Sequence, residues 1–284
     1  MNTAVILGAG QMGKKLAALL NKNGLSLLAY GDNDPDKHGQ CGTVPVCAVE
    51  AALALAPDIV FIGVASPARS QALARQAHAA GYHGRIIALS DLAAAFDLRA
   101  ATLQSLLPRL ATVLGDVAEL GVYQGDFAWQ LNLAFPQRWL HLFDTFNGFH
   151  VHDLAAESSP LQTQGKVDFS DTSVEGVLAR MPYPERVVVH AGHFPQTAAT
   201  LDTTFALVSL DVDLYAPTLA GLHYFLPRMS RGGILLLHDY ANPRFQGVAQ
   251  AVHRYEQDNG PLALLPLPDL HGTAVVFAQG TAID

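Results

Sequence analysis

Three acids in this chain are spaced so that they could act on one atom. Asp211 and Asp213 stand two apart in SLDVDLY, at the end of an apolar run, and Asp239 closes the next such run, GGILLLHDY. On a continuing strand, residues two apart face the same side. Neighbouring parallel strands lie about 4.8 Å apart, so the three carboxylates are expected to converge on one cation. Buried carboxylates without a partner are costly or take up protons, and a hard divalent metal relieves that cost through oxygen ligands. Such a metal also lowers the pKa of a coordinated hydroxyl, as it does for water. His238 stands just before Asp239. Imidazole suits manganese or iron better than magnesium, so His238 either ligates a softer metal, sits outside the coordination sphere, or weakens the site. The bland alternative for Asp211 and Asp213 is to cap a following turn.

Two glycine-rich turns could hold nucleotide-like ligands. Glu119, Gly121 and Gly125 lie in ELGVYQGD, where an apolar run gives way to a helical pattern. The glycines let a cofactor approach the backbone, and Glu119 can accept a hydrogen bond from an ammonium group. Asp144 ends the next apolar run, in HLFDTF, where an acid can accept from both hydroxyls of a ribose. Near the N-terminus, Gly8, Gly10 and Gly13 form G-x-G-x-x-G between a strand pattern and a helix pattern, the setting in which this motif binds phosphate at a helix N-terminus. An acid, Asp32 or Asp34, follows about 20 residues on, placed for ribose hydroxyls. NAD(P) or another nucleotide is the expected ligand there. The alternative is a tight turn that binds no substrate. No Tyr-x-x-x-Lys pair or His/Cys cluster follows to carry redox chemistry.

The same sequence device, apolar run, glycine turn and helix, thus opens two stretches more than 100 residues apart. Alternating strand and helix signals after each argue for parallel sheets. The fold class is α/β, with two Rossmann-like doubly wound domains, 1–100 for nucleotide binding and 101–284 for the acid cluster. Leu262–Leu267 and Ala274–Ala278, joined by PDLHG, are expected to form an antiparallel hairpin at the end of the second sheet. Ligands then belong at the carboxyl ends of the strands. Phe146–Asp171 is long and polar and reads as a lid. Thr172 with Glu175 matches a capping box. His190 and His193 flank a glycine after a strand, either near the cofactor or satisfied within a loop. Trp129 and Trp139 are assigned to the core.

Composition narrows the function classes. Of 284 residues, 50% are hydrophobic and 15% charged, enough for packed cores and too apolar for disorder. No apolar run reaches the roughly 18 residues of a membrane span, and the N-terminus lacks the basic region of a signal peptide. Cys41 and Cys47 are too few for a disulfide framework. The net charge of −8, with no Lys/Arg run, argues against nucleic acid. The expectation is a cytoplasmic protein that acts on a small molecule away from membranes, and a homo-oligomer is compatible with it.

The segments ELGVYQG, HLFDTFNGF, DFSDTSVEGV, HAGHFPQT, FALVSLDVDLYAPT and RGGILLLHDYANPRFQGVAQAV follow one another in this order. Together they resemble the macrocin O-methyltransferase family over about residues 115–255. The resemblance implies a class I methyltransferase fold, S-adenosylmethionine as cofactor, a divalent metal, usually magnesium and alternatively manganese, and a glycosylated acceptor methylated on a sugar hydroxyl. It maps Asp211 and Asp239, with His238 between them, to the metal, and Asp213 to the base that removes the hydroxyl proton. The family usually has two adjacent acids where this chain has His238 and Asp239. Over about residues 3–90, Pro35, Lys37, Gly39 and the VPV run loosely resemble small nucleotide-binding modules fused to sugar-modifying enzymes, which implies binding rather than redox chemistry. Two other functions remain at this point: a bifunctional protein with NAD(P)-dependent chemistry in its first domain, and a non-catalytic sensor of nucleotide and S-adenosylmethionine.

Overall fold

The computed structural model describes residues 2–20, 24–95, 98–157, 169–242, 244–269 and 271–278. The chain divides into two compact units, Met1–Asp97 and Leu98–Asp284.

In the first unit, β1 (Asn2–Leu7), α1 (Gln11–Leu19) and β2 (Leu25–Gly31) are followed by a short hairpin, β3 (Gly39–Cys41) and β4 (Val44–Cys47). Then come α2 (Val49–Leu53), β5 (Ile59–Ile62), α3 (Pro67–Ala79), β6 (Arg85–Ala88) and α4 (Leu89–Ala95). The sheet order is β3-β4-β2-β1-β5-β6, parallel except for the β3–β4 pair. Val5, Leu7, Val60 and Ile62 are inaccessible and pack with α2 and α3 into one core. That burial explains why β1 and β5 read as unbroken apolar runs. The hairpin was not foreseen, because its strands are three and four residues long.

The second unit starts with α5 (Leu98–Leu110), then β7 (Asp116–Leu120), α6 (Asp126–Ala134), β8 (Leu140–Asp144), α7 (Val151–Ala155), α8 (Val174–Arg180) and β9 (Val187–Ala191). It continues with β10 (Phe205–Leu210), α9 (Tyr215–Phe225), β11 (Met229–Leu237), α10 (Gln246–Asn259), β12 (Leu264–Pro266) and β13 (Ala274–Phe277). Its strands run in the order β12-β13-β11-β10-β7-β8-β9. All neighbours are parallel except β13, which lies antiparallel between β11 and β12. Alternate strand residues face opposite sides. Val117, Leu142 and Leu207 pack with α5, α6 and α8 on one face, and Ala118, Val208 and Leu235 pack with α9 and α10 on the other.

The sheet register fixes the level of the functional residues. Leu120 pairs with Phe143 and with Leu210, and Leu210 pairs with Leu237. The next residues, Gly121, Asp144, Asp211 and His238, therefore leave four adjacent strands at one height. β7 has β8 on one side and β10 on the other, so the chain turns opposite ways from it, and a crevice opens there. Among the described residues, no helix is long and apolar enough to cross a membrane.

Several local expectations change. The D-x-D pair is not on a continuing strand: β10 stops at Leu210, and Asp213 has a left-handed backbone, φ 61°. Asp239 likewise lies two residues past β11, at φ 59°. Ser173, not Thr172, caps α8, accepting from the Gly176 N–H, while the Thr172 hydroxyl donates to the Tyr123 carbonyl. Trp129 and Trp139 are 40% and 44% exposed rather than core, and the Arg186 guanidinium covers the Trp139 ring. Part of the expected lid is the short helix α7. Residues 158–168 of that stretch lie outside the described residues.

Candidate active site

A cavity of about 410 Å³ opens at the carboxyl ends of β7, β8, β10 and β11. Glu119, Gly121, Asp144, Asp211, Asp213, His238 and Asp239 all line it. The structure thus brings together every residue expected to act in the second unit except Gly125, the left-handed residue just before α6.

The glycine turn is shaped by close approach. A Cβ on Gly121 would lie 1.9 Å from the Asp211 carbonyl oxygen, and the residue has φ +88°. No other residue type fits without moving backbone. Asp144 grips this turn from the next strand: its Oδ2 accepts from the N–H groups of Val122 (2.7 Å) and Tyr123 (2.9 Å). Glu119 is 2% exposed, and its Oε2 has no hydrogen-bond partner among the described residues. Burial pushes this carboxyl well above its ordinary value, with Arg99 opposing the rise. An unsatisfied buried oxygen at a ligand cavity fits a donor supplied by a bound molecule.

The acids lie in a network. His238 Nδ1 is 3.0 Å from Asp211 Oδ1 and 2.7 Å from Asp239 Oδ2. Arg99 Nη1 donates to Asp211 Oδ2 at 2.6 Å, and the Asn242 amide donates to Asp239 Oδ1. Although burial pushes the Asp211 carboxyl up, His238 and Arg99 hold it well below the usual carboxylate range. Burial opposes protonation of His238, but Asp211 and Asp239 carry it up to about 10. Asp213 goes the other way: burial, then the charges of Asp211 and Asp239, raise it well above the ordinary value. Ligand atoms of Asp211, His238 and Asp239 lie within 4.8 Å of one another, a spacing that one cation can span. The donor set is two carboxylates and an imidazole; with an ion in place of the proton on His238 it fits manganese better than magnesium.

Sequence reasoning missed Arg99, Asn242 and His271. Arg99 lies 112 residues from Asp211, its Cζ is 4.0 Å from the centre of the Phe127 ring, and no local pattern marks it. His271 stacks on His238, ring centres 5.5 Å apart.

The sequence pattern of the macrocin O-methyltransferase (TylF) family matches residues 97–279. The chain belongs to this family. It is 30% identical over 162 residues to mycinamicin III 3''-O-methyltransferase of Micromonospora griseorubida, a match over 52% of this chain and 63% of that protein. Over 184 residues it is 26% identical to 8-demethyl-8-(2,3-dimethoxy-α-L-rhamnosyl)-tetracenomycin-C 4'-O-methyltransferase of Streptomyces olivaceus, covering 60% and 68%. The chain therefore spans less than two thirds of the first relative. Among solved structures, the O-methyltransferase NovP matches with a TM-score of 0.52 at 22% identity, over 64% of this chain and 79% of its own. The calicheamicin methyltransferase CalS11 matches with the same score and identity, over 75% and 86%. Both likenesses establish the α/β methyltransferase fold. The family's residues begin at 97, the last residue of the first unit, and residues 1–96 lie outside them.

That first unit carries its own glycine turn. A Cβ on Gly13 would lie 1.9 Å from the Gly8 carbonyl oxygen, whereas one on Gly10 would meet nothing within 4 Å. Asp32 Oδ2 accepts from the Ala9 N–H at 2.7 Å, and Lys37 sits 3.3 Å from its Oδ1. Burial raises Asp32, but the Asp34 and Ala9 N–H groups, then Lys37, bring it below its ordinary value. Asp34 instead caps the turn at residues 35–37.

Proposed function

We propose that the protein is an S-adenosylmethionine-dependent O-methyltransferase whose acceptor is a hydroxyl on the sugar of a glycosylated natural product. The observation that carries this reading is the meeting of Asp213, Asp211 and Asp239 in the cavity that also exposes Glu119 and Asp144. The acceptor class is carried over from the two relatives, whose names describe methylation within glycosylated compounds.

In this reading S-adenosylmethionine supplies an electrophilic methyl group on a sulfonium. Glu119 faces its ammonium, Asp144 its ribose hydroxyls, and Gly121 keeps the turn flat enough for close contact. Asp213 accepts the acceptor's hydroxyl proton as the oxygen attacks the methyl carbon in line, and the carbon–sulfur bond breaks to leave S-adenosylhomocysteine. Holding donor and acceptor in line supplies up to about 7–11 kcal/mol of the barrier reduction. Asp211 and Asp239, with His238 as the third donor, would hold a divalent metal, which lowers the pKa of the acceptor hydroxyl. The first unit, residues 1–97, is read as a nucleotide-binding domain built on Gly8, Gly10, Gly13 and Asp32.

The test is a calorimetric titration with S-adenosylmethionine, followed by incubation with a panel of glycosylated acceptors. The expected outcome is stoichiometric binding, S-adenosylhomocysteine release, and a one-methyl mass gain on an acceptor that chelation by EDTA suppresses. A protein that does not bind S-adenosylmethionine would overturn the reading, and full transfer in EDTA would overturn the metal's part in it.

A further inference from the structure

A second cluster of metal-ligating side chains lines the same cavity. His150 stands just before α7, Asp153 lies on α7, and His193 follows β9. The sequence places His150 and Asp153 in the lid and His193 either near the cofactor or satisfied within a loop. Their ligand atoms lie within 4.8 Å of one another. His193 Nε2 is 2.9 and 3.1 Å from the two oxygens of Asp153, which is 8% exposed. The rings of His150 and His193 stack, with centres 4.0 Å apart and planes 28° apart.

Gln196 decides how the His193 ring is used. Its side-chain amide lies 3.1 Å from Nδ1, and with the amide oxygen on that side it accepts from an Nδ1–H. In the neutral ring, Nε2 then turns a lone pair toward a carboxylate. Two acceptors facing each other need a positive charge between them, either a proton or a metal ion. A proton on Nε2 satisfies that pair and leaves His150 as the ring stacked on it and the cap of α7. A metal ion uses all three side chains and keeps Gln196 in the orienting position that metal-bound histidines require. The ion would replace the His193–Asp153 contacts and, where His150 ligates through Nδ1, the 3.4 Å contact from the His152 N–H.

We propose that His150, Asp153 and His193 form a second metal site that takes a first-row divalent ion of the zinc class. Two imidazoles and a carboxylate are a borderline-soft set that leaves a fourth position open, in contrast to the oxygen-rich acid cluster. All three residues line the cavity, so the open position faces the space where, on the function proposed above, the acceptor lies. Binding of the ion does not depend on that function.

The experiment titrates the chelator-stripped full-length protein with Co2+, whose visible absorption reports nitrogen and oxygen ligation, and then adds Zn2+ as a competitor. The expected result, with millimolar Mg2+ present to hold the acid cluster, is a visible band that saturates at one equivalent and that Zn2+ displaces. His193→Ala should weaken Co2+ binding by about tenfold or more, given that even outer partners of a metal ligand are worth 10–100-fold. His150→Phe keeps the ring stack, so it should weaken binding similarly at an unchanged melting temperature. Asp211→Asn should leave the band intact. A band that survives His150→Phe, one lost in Asp211→Asn, or no band in the unaltered protein would each overturn the proposal, whether or not methyl transfer is found.

Discussion

The two units solve the same structural problem and then diverge. In the first, Leu7 pairs with Gly31 and with Ile62, so Gly8, Asp32 and Gly63 leave three strands at one level. In the second, Gly121, Asp144 and Asp211 do the same. In both, a glycine is pressed to 1.9 Å, counted from its absent Cβ, against a carbonyl oxygen. In both, the acid ending the second strand accepts an N–H of the glycine turn at 2.7 Å. The difference lies in the strand on the far side of the crevice. β5 runs into Gly63, Val64 and Ala65, whereas β10 runs into Asp211, Val212 and Asp213. The shared turn opens a crevice in each unit, and only the second unit sets carboxylates past the switch point. A glycine motif alone therefore says little about which half reacts.

The strongest way to break this comparison is Asp213→Asn. Asparagine tolerates the left-handed backbone, so the loop should keep its shape. Turnover should fall by about 10²–10⁴-fold, the usual worth of a general base, with S-adenosylmethionine affinity unchanged. Steady-state kinetics beside calorimetry reads both, and full turnover would remove Asp213 from its role. The matched pair Asp144→Ala and Asp32→Ala comes next. The first should weaken S-adenosylmethionine binding by roughly 10–100-fold, the equivalent of hydrogen bonds to a charged group at about 1.5–3 kcal/mol. The second should leave methyl transfer within about twofold. Equal losses would mean that the first unit also serves the reaction.

Gly13→Ala and Gly121→Ala sharpen the comparison through stability. Each should cost its own unit about 1–3 kcal/mol from overpacking, read as a lowered transition in scanning calorimetry. Only Gly121→Ala should also reduce S-adenosylmethionine binding.

The smallest effect is with pH. Burial lowers the pKa of His141 below its ordinary 6.5, with Asp116 opposing, and burial and then His141 lower that of His190. Their rings meet at 3.0 Å between β8 and β9. At these two histidines the unfolded chain binds protons more readily than the folded one below pH 6.5, so the pair's contribution to the second unit is full above that value and falls on acidification, while the raised carboxyls of Glu119 and Asp213 act in the opposite direction. Asp32, with its pKa lowered, keeps its contribution to the first unit until the carboxylate range itself is reached. Melting curves of the unaltered protein and of His141→Asn at pH 7.5 and 5.5, set here as test conditions, should show the pair's contribution as the difference between them, the unaltered second unit losing more on acidification. His141→Asn should flatten that dependence.

Much of the candidate site was legible because it lies at strand ends. An apolar run stopping at Glu119, Asp144 or Asp211 marks where the sheet surrenders the chain to the crevice. The reason given for the D-x-D convergence was wrong in detail, since alternation along a strand cannot apply past Leu210. The left-handed turn at Asp213 does that work, and no residue type announces it. The α8 cap was misread because Thr172 has Glu175 three residues on, as a capping box requires, and Ser173 has only Gly176. Tyr123, brought from another segment, takes the Thr172 hydroxyl. Arg99 was invisible for the same reason, its partner being distant in the chain.

That arginine has a practical consequence for any attempt to separate the halves. Its helix starts at Leu98, so a cut at residue 100, where the sequence suggests a boundary, would discard it. The second unit made that way would carry Asp211 with its guanidinium partner missing, leaving a partly buried carboxylate held by His238 alone of its two cationic neighbours. An inactive fragment would then report the position of the scissors rather than any need for the other half.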